Sequence, residues 1–133
     1  MNLPFPRLHH TLVALRVGVA VMFMAHAAVR VAGGTIERFA GFLGTLGFPV
    51  PIVWVWGITL VELVCGTLLI LGVAVPWAAP GLMAVAAGGI VLIHRHNGWF
   101  VGEHGSGGME YAVMLLLALA VVMAAALEKR RAR

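Results

Sequence analysis

One carboxylate, Glu62, stands in the middle of WVWGITLVELVCGTLLIL, residues 54–71, an otherwise apolar run long enough to be a membrane helix. An ionised side chain at the centre of such a helix costs about 2.5 to 3.5 kcal/mol even on insertion scales, so Glu62 requires a cation, a proton or a water-filled cavity. His26 and Arg30 interrupt an earlier apolar run, and their spacing of four places both on one helical face. His94, Asn97, Glu110 and Tyr111 are polar or ionisable residues around the last loop. A carboxylate and an imidazole with cationic or hydroxyl donors nearby are groups that exchange protons and hydrogen-bond a polar headgroup.

Other chemistries fit less well. His26, His94 and His96, with Met24 or Met109, offer the imidazole and thioether ligands that suit haem or copper. His94 and His96 are two residues apart, however, which is not a helical-face pair, so metal is the less favoured reading and no metal ligands are assigned. Cys65 is the single cysteine, so a dithiol exchange within one chain lacks its resolving partner. The glycines of residues 102–108 follow no strand and lack the Lys-Ser/Thr ending of a phosphate loop.

The elements that position these residues follow from composition. The chain has 133 residues, 62% of them hydrophobic and 11% charged, far from the soluble average of roughly 25% charged. This is the profile of an integral membrane protein, and four spans consume most of its length. They are expected at about residues 12–31, 52–75, 77–93 and 109–127, as a single all-α transmembrane domain over 1–133 forming a four-helix bundle in the lipid bilayer. Between the first two spans, paired glycines and two prolines bound a short segment in which Ile36, Phe39, Ala40, Leu43 and Leu46 recur at helical spacing, as in an interfacial helix. The second and third spans form a tight hairpin, and Ala84, Gly88 and Gly89 in the third suggest close helix packing. The net charge of +4 is concentrated in a tail with Lys129, Arg130, Arg131 and Arg133. That is a topology signal rather than a nucleic-acid surface, and it places both termini on the cytoplasmic side of the cell membrane.

Depth then groups the ionisable residues. Glu62 falls about 15 Å below the opposite surface and His26 roughly 7 to 8 Å below it, at 1.5 Å per residue. The expected site is therefore an outward-facing polar cavity floored by Glu62, with Arg30 or His26 as charge partner and His94, Asn97, Glu110 and Tyr111 toward its rim. The alternative is that these residues only hold the helices together, as interhelical hydrogen bonds of roughly 0.6 kcal/mol each can do. A small transporter is a third reading, disfavoured because Arg16 is the only ionisable group in the inner half.

The chain resembles the DoxX family of small four-span membrane proteins. His26 and Arg30 match a His-Gly-x-x-Lys pattern, with Ala27 replacing the glycine. The run FAGFLGTLGFP from Phe39 to Pro49 is similar to a Phe-x-x-x-Leu-x-x-x-Gly-x-Pro stretch, and Glu62, Leu63 and Gly66 to a Glu-Leu-x-Gly-Gly motif in which Cys65 departs from glycine. His94, Asn97, Gly98, Trp99 and Phe100, then Gly108, Glu110 and Tyr111, are similar to the family's His-x-x-Asn-Gly-Phe and Gly-x-Glu-Tyr pieces. The resemblance implies a membrane subunit, associated with an oxidoreductase, of an envelope redox or sulfur- and thiol-handling system. Members are associated with thiosulfate:quinone oxidoreduction and with linking a thiol-handling enzyme to a superoxide dismutase. Quinone or another small polar-headed molecule is the expected ligand, membrane or envelope redox enzymes the expected partners, alone or with a second copy of the chain, and a non-catalytic scaffold the alternative.

Overall fold

A computed structural model of the protein describes residues 7–103 and 107–132. Arg133, counted above in the basic tail, lies outside the described residues. Backbone amides and carbonyls in lipid have no water to bond, so a spanning apolar run satisfies them internally as a helix. The chain accordingly folds into α1 (Leu8–Ala32), α2 (Ile36–Thr45), α3 (Pro51–Leu71), α4 (Val75–Leu92) and α5 (Glu110–Arg131), with a 3-10 turn at His94–Asn97. Helices α1, α3, α4 and α5 hold 25, 21, 18 and 22 residues, or roughly 27 to 37 Å of rise, and fall within the range of about 17 to 25 residues with which helices cross a hydrocarbon core.

Punctuation residues set the helix ends. Pro51 occupies the first turn of α3, where a missing amide costs nothing. Gly72 ends α3 at φ 71°, and the amides of Gly72 and Val73 bond the carbonyls of Leu69 and Leu68, which is a Schellman cap. α3 therefore stops four residues short of Val75, the expected end of the span, and α4 starts there, two residues ahead of Trp77. The two helices form the tight hairpin that the short link implies.

Neighbouring pairs are α1 with α3, α3 with α4, α4 with α5 and α5 with α1, giving an antiparallel four-helix bundle with both termini at one end, while α2 lies against α3 at the other. Two apolar clusters hold it. The larger one, near the terminal end, includes Val19, Phe23, Leu69, Leu82 and Leu119. The smaller packs Ala40 and Leu43 of α2 against Val55 of α3, with Phe39, Phe48 and Leu92 alongside. Along α3, Val55 belongs to one cluster and Leu69 to the other, and the two buried polar residues among those described, Thr59 and Glu62, fall between them.

The outer faces are apolar. Val21, Val29, Leu60, Val64, Met114 and Leu117 are all exposed, as expected of side chains solvated by lipid. Four tryptophans mark the rims: Trp54, Trp56 and Trp99 at the α2 end, and Trp77, 78% exposed, at the terminal end.

One packing expectation is corrected. A Cβ on Gly88 would meet nothing within 4 Å and one on Gly89 only the His94 ring, because this small-residue stripe of α4 lines a groove instead of an interhelical contact. Close approach occurs elsewhere. A Cβ on Gly66 would lie 2.5 Å from Met24 Cγ of α1, and one on Gly81 would lie 2.9 Å from Cys65 Sγ of α3.

Candidate functional site

The midpoint of α3 carries Thr59 and Glu62 one turn apart, on the face turned into the bundle. α1 brings Arg30 to the same depth from its last turn. The Arg30 guanidinium donates from Nη1 to Glu62 Oε2 at 2.7 Å and to Thr59 Oγ1 at 2.9 Å. Thr59 passes the bond on, its hydroxyl donating to the Val55 carbonyl at 2.8 Å. α2 closes the group from above, with the Phe39 ring 5.4 Å from the guanidinium carbon in a cation–π contact. Glu62 is 3% exposed. A carboxylate so buried is tolerable because its charge is paired and hydrogen-bonded by a fixed donor.

The pairing leaves capacity unused. Both Arg30 bonds leave from Nη1, and Glu62 accepts through Oε2. Among the described residues the only side-chain polar atom that is both buried and unbonded is Arg16 Nε. The Nε and Nη2 of Arg30 and the Oε1 of Glu62, unbonded to protein, therefore reach accessible surface. That surface is an open groove of about 1150 Å³, bounded by the upper halves of the four long helices and by α2. Its walls are mostly apolar, among them Phe42, Trp54, Ile58 and Leu115, and its polar groups include His26, Arg30, Glu62, His94 and Tyr111.

The remaining residues singled out by sequence separate into two sets. His26 lies at the groove but is not the partner of Glu62; its Nδ1 bonds the Met22 carbonyl at 2.8 Å, one turn back on its own helix. His94 turns its Nδ1 to the Gly107 carbonyl at 3.2 Å, and Tyr111 contributes from the start of α5. Asn97 and Glu110 do not line the groove. Glu110 instead accepts the Val101 amide at 2.9 Å while its own amide bonds the Trp99 carbonyl at 3.0 Å, so it ties the last loop to α5. Asn97 ends the 3-10 turn. Gly108 belongs to the same tie, since a Cβ there would collide with the Trp99 and Phe100 carbonyl oxygens.

Sequence reasoning missed Thr59 and Phe39 as members of the polar site. The signal for Thr59 was available in its spacing of three from Glu62 on one helix. Phe39 was legible as part of the apolar face of α2, but that face had no known counterpart until α2 was placed over α1 and α3. No group of three or more His, Cys, Asp or Glu arranged to hold a metal occurs among the described residues.

Helices of this length and hydropathy, with lipid-type outer faces and an intramembrane ion pair, define a multi-pass membrane protein of the helical-bundle class. The chain belongs to the DoxX family, whose model matches residues 11–95. That stretch includes His26, Arg30, Phe39, Thr59, Glu62 and His94, while Asn97, Glu110 and Tyr111 lie beyond it. No curated protein and no solved structure shows significant similarity to the chain.

Proposed function

We propose that the groove binds a small molecule with a polar head and an apolar tail, a quinone, and that the protein serves as the membrane subunit of an envelope redox or sulfur- and thiol-handling system. The observation that carries this reading is the Arg30–Glu62 pair, buried yet presenting unbonded donor and acceptor atoms to a large, mostly apolar groove. Ligand sites are typically apolar clefts of about 300 to 1,000 Å³ with a few convergent polar groups. A quinone carbonyl accepts from the free Arg30 N–H groups, and a hydroquinone hydroxyl donates to Glu62 Oε1. His26 and His94 stand where a proton leaving the site passes toward the α2 end. Electrons are exchanged, in this reading, with a partner redox enzyme of the envelope. In this reading the α2 end faces outward and the termini lie in the cytoplasm, as the basic tail favours.

The test is direct. Trp54 lines the groove, so a short-chain ubiquinone analogue titrated into the purified protein should quench tryptophan fluorescence saturably, and Arg30→Gln should weaken binding about tenfold or more, the loss expected for a charge-assisted hydrogen bond. Non-saturable quenching, or equal affinity in the variant, would exclude the groove as a quinone site. The scaffold reading has its own observation in its favour: Arg30 already ties α1, α2 and α3 together through Glu62, Thr59 and Phe39. It predicts that Arg30→Gln lowers stability with no ligand effect to lose.

A further inference from the structure

The opposite end of the bundle holds a second recess, of about 330 Å³. It exists because the α3–α4 hairpin turns early: Gly72 and Ala74 form its floor, while α1 and α5 continue past them as walls. The walls carry cations. His9 and Arg16 of α1 and Lys129 and Arg130 of α5 all line it. Arg16 is two turns inside α1, and its Nε is buried with no hydrogen-bond partner. The floor is shaped to the guanidinium, since a Cβ on Gly72 would lie 2.9 Å from both Arg16 Nη1 and Nη2. The nearest carboxylate in sequence, Glu128, does not line the recess and makes no ion pair among the described residues.

The C-terminal end of α3 complements one cation through its helix dipole. It does not account for Lys129 and Arg130 converging on the same recess, nor for a buried guanidinium nitrogen left unbonded, which costs free energy unless an acceptor arrives. Depth identifies the acceptor. Trp77, beside Pro76 of the floor and 78% exposed, marks the level of the lipid headgroups at this end. Apolar residues, among them Leu12, Val13 and Ala126, make up the rest of its walls.

We infer that this recess binds a phosphate group, with Arg16 at its floor and Lys129 and Arg130 at its rim, and that the phosphate is supplied by the headgroup of an anionic lipid. The inference is independent of the quinone groove at the other end. Native mass spectrometry of the full chain in detergent, titrated with phosphatidylglycerol, phosphatidylcholine or inorganic phosphate, tests it. Phosphatidylglycerol should bind one to one and more tightly than phosphatidylcholine. The Lys129→Gln/Arg130→Gln variant, altered only at exposed positions, should weaken phosphatidylglycerol roughly 25-fold, about fivefold per cation, and weaken phosphatidylcholine, whose choline offsets the phosphate charge, far less. Arg16→Gln should weaken it at least fivefold. Saturable binding of inorganic phosphate that competes with phosphatidylglycerol and is lost in the double variant supports the site with a soluble anion as occupant. Equal binding of the two lipids, or phosphatidylglycerol binding unaffected by the double variant, overturns the assignment.

Discussion

The ion pair at the middle of the bundle is the residue with the most to lose by substitution. Glu62→Ala strands the Arg30 guanidinium in an apolar surround, and removing one partner of a buried pair costs about 3 to 5 kcal/mol. Glu62→Gln keeps an acceptor facing Nη1 and should cost distinctly less. Unfolding of both variants in mixed micelles checks the order; equal losses would mean that charge, not hydrogen bonding, holds the pair. Thr59→Val removes one Arg30 bond and should cost about 0.6 kcal/mol, the mean for interhelical hydrogen bonds in membranes. So small a loss would make Thr59→Val a variant that removes one bond to Arg30 while leaving the Arg30–Glu62 pair in place.

Among the elements, α1 and α3 meet over Gly66, and α5 is tied to the preceding loop at Gly108. Gly66→Leu drives a side chain into Met24 and should destabilise by roughly 1 to 3 kcal/mol, as overpacking does. Met24→Ala should restore much of the loss by opening the space, a rescue readable in thermal unfolding. Gly108→Ala has no such remedy, since the obstacles are the backbone carbonyls of Trp99 and Phe100. It should release residues 98–103 and 107–110 to protease while the four spans stay helical by circular dichroism. The helix ends show strain as well. Val50, at φ 45° between two prolines, is a β-branched residue in the left-handed region, and Val50→Gly should stabilise by about 1 kcal/mol through relief of that strain.

The whole molecule separates two polar sites by an apolar cluster: Arg30 and Glu62 toward α2, Arg16 with Lys129 and Arg130 at the terminal end. Sites without shared partners contribute additively. A quinone analogue at 100 times its dissociation constant should stabilise the fold by about 2.7 kcal/mol, and that increment should persist in the Lys129→Gln/Arg130→Gln variant. Its disappearance there would reveal coupling across the bundle.

Hydropathy alone determined the all-α membrane class, the four spans, the interfacial α2 and the presence of a problem at Glu62, because each of these depends only on how residue types are ordered along a helix. The basic tail and the Gly and Pro breaks were legible for the same reason. What the tertiary structure decided is who answers whom. Arg30 and not His26 pairs with Glu62, since His26 spends its Nδ1 on its own helix while Arg30 reaches across. Thr59 and Phe39 join the site through their positions on neighbouring helices, the α4 small-residue stripe opens a groove instead of closing an interface, and the cations of α1 and α5 meet over Gly72. Such pairings depend on the rotation of each helix about its axis and on where its neighbours stop. Those quantities are set by side-chain packing between helices, which the order of residues along one span does not contain.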